Sequence, residues 1–142
     1  MLNKLLKRLL VLKYSKSQTK INMNYYQKAK DIYDMLGQGK MLEAFEKYYH
    51  QNVVMVEATG DERKGKDVNR EFEKSFIGMI KEFHGFGVNS ITSNEAEKVT
   101  MVESWMEVTF NDGNRVKMEQ VAVQHWLDDQ IIHERFYYNA GK

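Results

Sequence analysis

Acidic residues set among aromatic, methionine and amide side chains are the part of this sequence that could do chemistry. A carboxylate pressed against apolar surface loses hydration, so its pKa rises and it becomes a proton donor or acceptor usable near neutral pH. Glu103, Trp105 and Glu107 alternate along one stretch, and in a strand they share a face that would otherwise be apolar. Glu57 closes the run Val53-Val54-Met55-Val56, and Glu134 sits inside the last apolar run. Glu57, Glu107 and Glu134 are therefore the candidate acid–base groups, with Glu103 behind them; acids sharing one cavity raise each other's pKa. Trp105, Met118, Phe136 and Tyr138 are candidate ligand contacts, joined by Tyr33 and Tyr49. Gln120 and Gln124 are the better hints of ligand orientation, because an amide on an apolar face needs a partner. The plainer reading stands beside this one. The glutamates pair with Lys or Arg or face water, the rings are core, and a Gln124–Glu134 hydrogen bond satisfies both without a ligand.

Composition removes several classes of function. Cysteine is absent, so there is no disulfide framework, thiol nucleophile or thiolate metal site, which is compatible with the expected cytoplasmic location. His50, His84, His125 and His133 have no metal-ligand spacing, so no metal is expected. No phosphate-binding glycine loop, dinucleotide turn or nucleophile elbow occurs, and no cofactor is expected. The net charge of +1 averages two unlike segments: residues 1–22 carry six of the 21 Lys and Arg and no acid, which leaves 15 bases against 20 acids in the rest. That mildly acidic body has no basic stripe interleaved with aromatics, which argues against nucleic acid as a partner.

The elements that must position these residues follow from periodicity and turn residues. Tyr26, Ala29, Ile32, Tyr33 and Leu36 recur at helical spacing from Asn24 until Gly37 and Gly39; a second helix over 40–49 carries Leu42, Phe45 and Tyr49. The β-branched run Val53–Glu57 predicts a strand, 61–66 a charged loop, and 67–83 a third helix with Val68, Phe72, Phe76, Met79, Ile80 and Phe83 on one flank. A glycine-weakened strand over 86–93 leads into three long strands within 98–139, divided at Asn111–Asn114 and Asp128-Asp129. The plan is α+β, with three helices on the concave face of a curved, mostly antiparallel sheet. If Asp112-Gly113 is a two-residue turn, Glu107 faces Met118, Trp105 faces Gln120 and Glu103 faces Ala122. A three-residue loop of Leu127, Asp128 and Asp129 sets Gln124 beside Ile132, Ala122 beside Glu134 and Gln120 beside Phe136. The other face then carries Val121, Val123, Ile131 and Tyr137, an apolar patch suited to a symmetric homodimer.

The opening segment is separate in character. Leu2, Leu5, Leu6, Leu9 and Leu12 line one side of a helical pattern opposite Lys4, Lys7 and Arg8. It reads either as a basic amphipathic helix on an anionic membrane or as an extension outside the fold, with Met23 as an alternative start; the second is preferred. The domain is accordingly expected over 23–142.

The stretches "GQGKMLEAFEKYYHQNVVMVEATG", "ERKGKDVNREFEKSF" and "VAVQHWLDDQIIHERFYYN" together resemble the SnoaL-like polyketide cyclases of the nuclear transport factor 2-like superfamily. The resemblance implies a cone-shaped α+β domain, a cavity for a small hydrophobic molecule, and pairing through the outer sheet face. It also implies where activities would lie. Glu57 falls where ketosteroid isomerases keep a carboxylate base and Tyr33 near their oxyanion-hole tyrosine, but Ala122 stands where they have a second acid. Trp105, Glu107 and Phe136 fall where epoxide hydrolases of the superfamily have an Arg and two Asp. What remains open is a cofactor-free isomerase or cyclase using a pocket glutamate on a hydrophobic carbonyl compound; the alternative is a non-catalytic binding or dimerisation module.

Overall fold

A computed structural model describes residues 22–141. The expectations for residues 1–21, the membrane-binding helix among them, lie outside the described residues. Among the described residues no helix is long and apolar enough to cross a membrane.

Helix α1 (Tyr25–Gly37) starts where the sequence supplies a capping box: the Gln27 amide donates to Asn24 Oδ1 at 2.8 Å, and the Asn24 amide donates back to Gln27 Oε1 at 3.0 Å. The Glu95 carboxylate, from the far end of the sheet, takes the Tyr25 and Tyr26 amides at 3.0 Å each, so further first-turn donors are satisfied. Ala29, Ile32 and Tyr33 bury one face, and Gly39, at φ 76°, lets the chain turn into α2 (Met41–Tyr48). Strand β1 (Tyr49–Val56) follows at once, then the short β2 (Glu62–Lys64), helix α3 (Lys66–Met79) and strands β3 (Ile80–Asn94), β4 (Val99–Phe110), β5 (Arg115–Leu127) and β6 (Gln130–Tyr137). The sheet order is β2-β1-β6-β5-β4-β3, antiparallel throughout except that β1 and β6 run parallel. The three helices lie over one face, and the core between layers is built on Ile32, Phe45, Tyr48, Val53, Met55, Val102, Trp126 and Ile131.

Several elements differ from the expectation, each for a reason that lies outside local sequence. The third helix stops at Met79 rather than Phe83, because Ile80–Phe83 pair with Val108–Phe110 in the sheet. The loop beyond β4 closes the helix end: Asn111 donates its backbone N–H to the Met79 carbonyl and its side-chain amide to the Gly78 carbonyl, both at 2.8 Å. Residues 62–64, expected as loop, form an edge strand against β1.

Two registers move as well. The β4–β5 loop is Asn111-Asp112-Gly113, closed by Phe110 N–H to Asn114 O at 2.9 Å with Gly113 at φ 89°, not the two-residue turn Asp112-Gly113. Met118 therefore faces Met106, Gln120 faces Ser104 and Ala122 faces Val102, a shift of one residue. A one-residue slip exchanges the faces. Val102, Ser104 and Val108 go to the core, and Glu103, Trp105 and Glu107 go to the outer side. At β5–β6 the loop is the two-residue Asp128-Asp129, with Asp128 at φ 53°, and the register then shifts between His125 and Trp126, leaving Ile132 as a bulge. The extra residue restores parity. Gln124 faces Glu134 and Ala122 faces Phe136, so Glu134 and Phe136 keep the inner face expected of them with partners other than those expected. Ile131, assigned above to the dimer face, is fully buried in the core instead.

Candidate functional site

Between the helices and the inner face of the sheet lies a cavity of about 740 Å³, a size usual for small-molecule sites. Helix α1 contributes Ile32, Tyr33 and Leu36; α2 and its end contribute Met41, Phe45 and Tyr49; α3 contributes Phe72, Glu73 and Phe76; and the sheet contributes Met55, Ser104, Met118, Gln120, Glu134 and Phe136. Glu57 and the tail residues Tyr138 and Asn139 stand on the same border.

Glu134 is the most completely held of its acids. It is 1% exposed, accepts Tyr49 Oη–H at 2.7 Å on Oε2 and Gln124 Nε2–H at 2.8 Å on Oε1. Gln124, itself fully buried, is oriented in turn: Thr100 Oγ1–H donates to Gln124 Oε1 at 2.8 Å, and Trp126 Nε1–H donates to Thr100 Oγ1 at 2.9 Å. Because indole nitrogen only donates, the direction of every bond in this chain is set, and it ends with a donor aimed at Glu134. These bonds favour the charged form, yet burial outweighs them: the Glu134 carboxyl is pushed up from 4.5 to about 7, with Glu73 and Glu57 adding in the same direction.

Glu73 is the freer acid. It projects from α3 between Phe72 and Phe76 and accepts no hydrogen bond among the described residues. Burial raises it to about 7 as well; Arg63 opposes the rise and Glu57 adds to it. Glu57, by contrast, is occupied. Arg63 holds it at 2.6 Å and Tyr138 Oη–H donates to its other oxygen at 2.8 Å. Arg63 is itself fixed by Asn69, fully buried on α3, whose Oδ1 accepts the guanidinium Nε–H at 3.1 Å, and by the Phe72 ring, 3.5 Å from the guanidinium carbon. Tyr33 shares a hydrogen bond with Ser104, and burial raises its hydroxyl pKa strongly.

The candidates named from sequence are thus sorted by place. Glu57, Glu134, Tyr33, Tyr49, Met118, Gln120, Phe136 and Tyr138 all border the cavity. Gln124 lies one layer behind it, with its amide spent on Glu134 and Thr100, as the plainer reading had it. Glu107 is on the outer face, paired with Arg115 Nε at 2.9 Å. Trp105 reaches the cavity's edge, but its indole lies over Gly85 and Gly87, with Lys117 Nζ 4.9 Å from the ring centre. Both corrections follow from the one-residue register shift. Glu73, missed in the sequence, carries a signal only in retrospect: an acid between two phenylalanines on the helix flank taken to be apolar. Among the described residues no group of three or more His, Asp and Glu could hold a metal ion.

A six-stranded, mostly antiparallel curved sheet with three helices in its concavity is the cone fold of the nuclear transport factor 2-like proteins. Within that class the chain belongs to the SnoaL-like domain family, which it matches over residues 23–138. It is similar to a Mesorhizobium loti protein provisionally named a SnoaL-like polyketide cyclase, at 28% identity and TM-score 0.72 over 82% of this chain and 100% of that one. A Pseudomonas putida protein provisionally named a polyketide cyclase superposes at TM-score 0.71 with 15% identity, covering 84% and 94% of the two chains. A Catenulispora acidiphila protein with a ketosteroid isomerase-like fold, solved with trimethylamine, does so at 0.63 with 12% identity, covering 76% and 82%. The last two show the fold alone. No curated protein matches the chain.

Proposed function

We propose that this domain is an acid–base catalyst, an isomerase or cyclase, acting on a hydrophobic carbonyl compound held in the cavity. The observation that carries the reading is that two carboxyl groups pushed up to about 7, Glu73 and Glu134, border one cavity lined mainly by rings and aliphatic chains. Glu73 is the base, since its oxygens are not engaged in hydrogen bonds and it can take a proton from the carbon next to a carbonyl. Gln120, on the opposite wall with no hydrogen bond from its side chain among the described residues, supplies an N–H to the oxygen where negative charge develops. Burial, with the Glu57 charge adding to it, keeps the Glu73 proton affinity high. Glu57 is a positioning residue, because Arg63 and Tyr138 already occupy it.

Proton exchange tests this directly. A panel of cyclic and aryl ketones in D2O, followed by proton NMR, should include members whose α-hydrogens exchange faster with the protein, and Glu73→Gln should slow that exchange by roughly 10²-fold or more. If no ketone exchanges faster with the protein than with Glu73→Gln, the domain is a binding module and the catalytic reading fails.

The outer sheet face extends the reading to assembly. Val121, Val123, the half-exposed Met101 and Tyr137 and the Trp105 indole give it apolar surface, and Glu103, Lys117, Glu119 and Arg135 rim it. Homodimerisation through this face is part of the proposal, with Ile131 no longer a member. Sedimentation equilibrium should give a dimer that Val121→Glu converts to monomer; a wild-type monomer at micromolar concentration would overturn it.

A further inference from the structure

The charges around the cavity do not balance. Arg63 is committed to Glu57 at 2.6 Å, and Lys117 at the rim pairs with Glu119 at 3.3 Å. That leaves Glu73 and Glu134 as two carboxylates on one apolar space, neither of them in an ion pair among the described residues. An apolar cavity cannot hold two unneutralised negative charges cheaply, so when nothing occupies it protons must supply the balance. An organic cation would do so equally well. The surrounding rings favour that, because a positive group is attracted to an aromatic face. This wall already makes such a contact, with Arg63 over Phe72 at 3.5 Å, and Phe45, Phe76, Tyr49 and Phe136 offer further rings to the same space.

We propose that the cavity takes a hydrophobic organic cation, a tertiary or quaternary ammonium compound, with the unpartnered Glu73 carboxylate as its counter-ion. The proposal deepens the acid–base reading by putting a positive charge on its substrate, and it rests on that reading only for the location of the site. Entry of the cation drives the Glu73 proton to solvent: the carboxyl O–H breaks, the electron pair stays on the oxygen, and the ammonium replaces the proton as the balancing charge. A bound cation thus also leaves Glu73 in the form that a base requires. The groups that set the response are Glu57, Arg63 and Tyr138 at one border, Glu134 with Tyr49 on the sheet side, Tyr33 from α1, and Lys117 with Glu119 at the rim.

Benzyltrimethylammonium and its neutral near-isostere 2,2-dimethyl-1-phenylpropan-1-ol, each titrated calorimetrically into the full chain, separate charge from shape. At pH 8.5 the ammonium should bind at least about tenfold more tightly than the alcohol, the equivalent of one modest ion pair. Its affinity should fall about thirtyfold on going to pH 5.5, since one linked carboxyl with a value near 7 contributes a factor of 1 + 10^1.5 there and almost none at pH 8.5. The alcohol should show no such loss. Glu73→Gln, which removes a charge and no hydrogen bond, should abolish both the preference and its pH dependence. An ammonium that binds no better than the alcohol at pH 8.5, complete absence of binding included, overturns the proposal, as does a preference that survives Glu73→Gln. Because binding is read without turnover, this result and the ketone exchange can fail independently.

Discussion

Glu134 should make the protein less stable in mild alkali than in mild acid, the reverse of what an ion-paired carboxylate does. The sign follows from its two states. The folded value is about 7 and the ordinary one 4.5, so between these the folded protein holds a proton that the unfolded chain has lost. Stability then declines as pH rises from about 4.5 to 7 and levels off above. At 1.36 kcal/mol per pKa unit the full effect is roughly 3 kcal/mol. Glu73 contributes with the same sign and a smaller share, because its residue is only partly buried. His133 works the other way. Burial and the neighbouring His125 lower its pKa, so its contribution increases as pH rises toward its ordinary value of 6.5. Urea unfolding midpoints at pH 5, 6, 7 and 8 should therefore be compared between wild type and Glu134→Gln. The variant keeps the side chain's shape and the bond from Gln124, and should gain roughly 1–3 kcal/mol relative to wild type at pH 8 while gaining nothing at pH 5. A difference between the two proteins that stays constant across this range would refute the reasoning.

The network and the outer face make two further predictions. Thr100→Val strands the Trp126 N–H and the Gln124 carbonyl in the core, and should lower stability by roughly 2–4 kcal/mol in chemical denaturation; a cost under about 1 kcal/mol would mean water restores both partners. Gly87→Ala would place a methyl carbon 2.7 Å from Trp105 Cε2 and 2.9 Å from Cζ2, forcing the indole off the strand at roughly 1–3 kcal/mol, visible as a lowered melting temperature and a shifted tryptophan emission. An unchanged melting temperature would show that the indole is loosely held.

Much of this architecture could be read from residue type and spacing. Asn24 and Gln27 announce the start of α1, and the stripe Ala29, Ile32, Tyr33 turns inward as its spacing demands. The bond from Gln124 to Glu134 was foreseeable from two polar groups on one apolar face. Where the sequence misled, the cause was a backbone detail worth one residue. Asn111-Asp112-Gly113-Asn114 contains the signal of a two-residue turn but folds as a three-residue loop with glycine in the left-handed region, and this moved Glu107 out of the site and left Trp105 only at its edge. At the other hairpin a short turn and a bulge at Ile132 compensate, so Glu134 kept its face although its expected partners were wrong. Gly85 and Gly87 look like weak points of a strand; they are the bed on which Trp105 lies. Glu73 was hidden because a lone acid on a helix reads as a solvent position. Only the separation of α3 from the sheet, a tertiary property, makes it a cavity group.

The central claim is that one cavity holds two carboxyl groups whose proton affinity is raised by burial. Carbon-13 NMR of the protein labelled at the glutamate side-chain carboxyls, with Glu73→Gln and Glu134→Gln used for assignment, measures it without any substrate. Two resonances should titrate near pH 7, and removing Glu73 should move that of Glu134 downward. Both titrating near 4.5 would contradict the account.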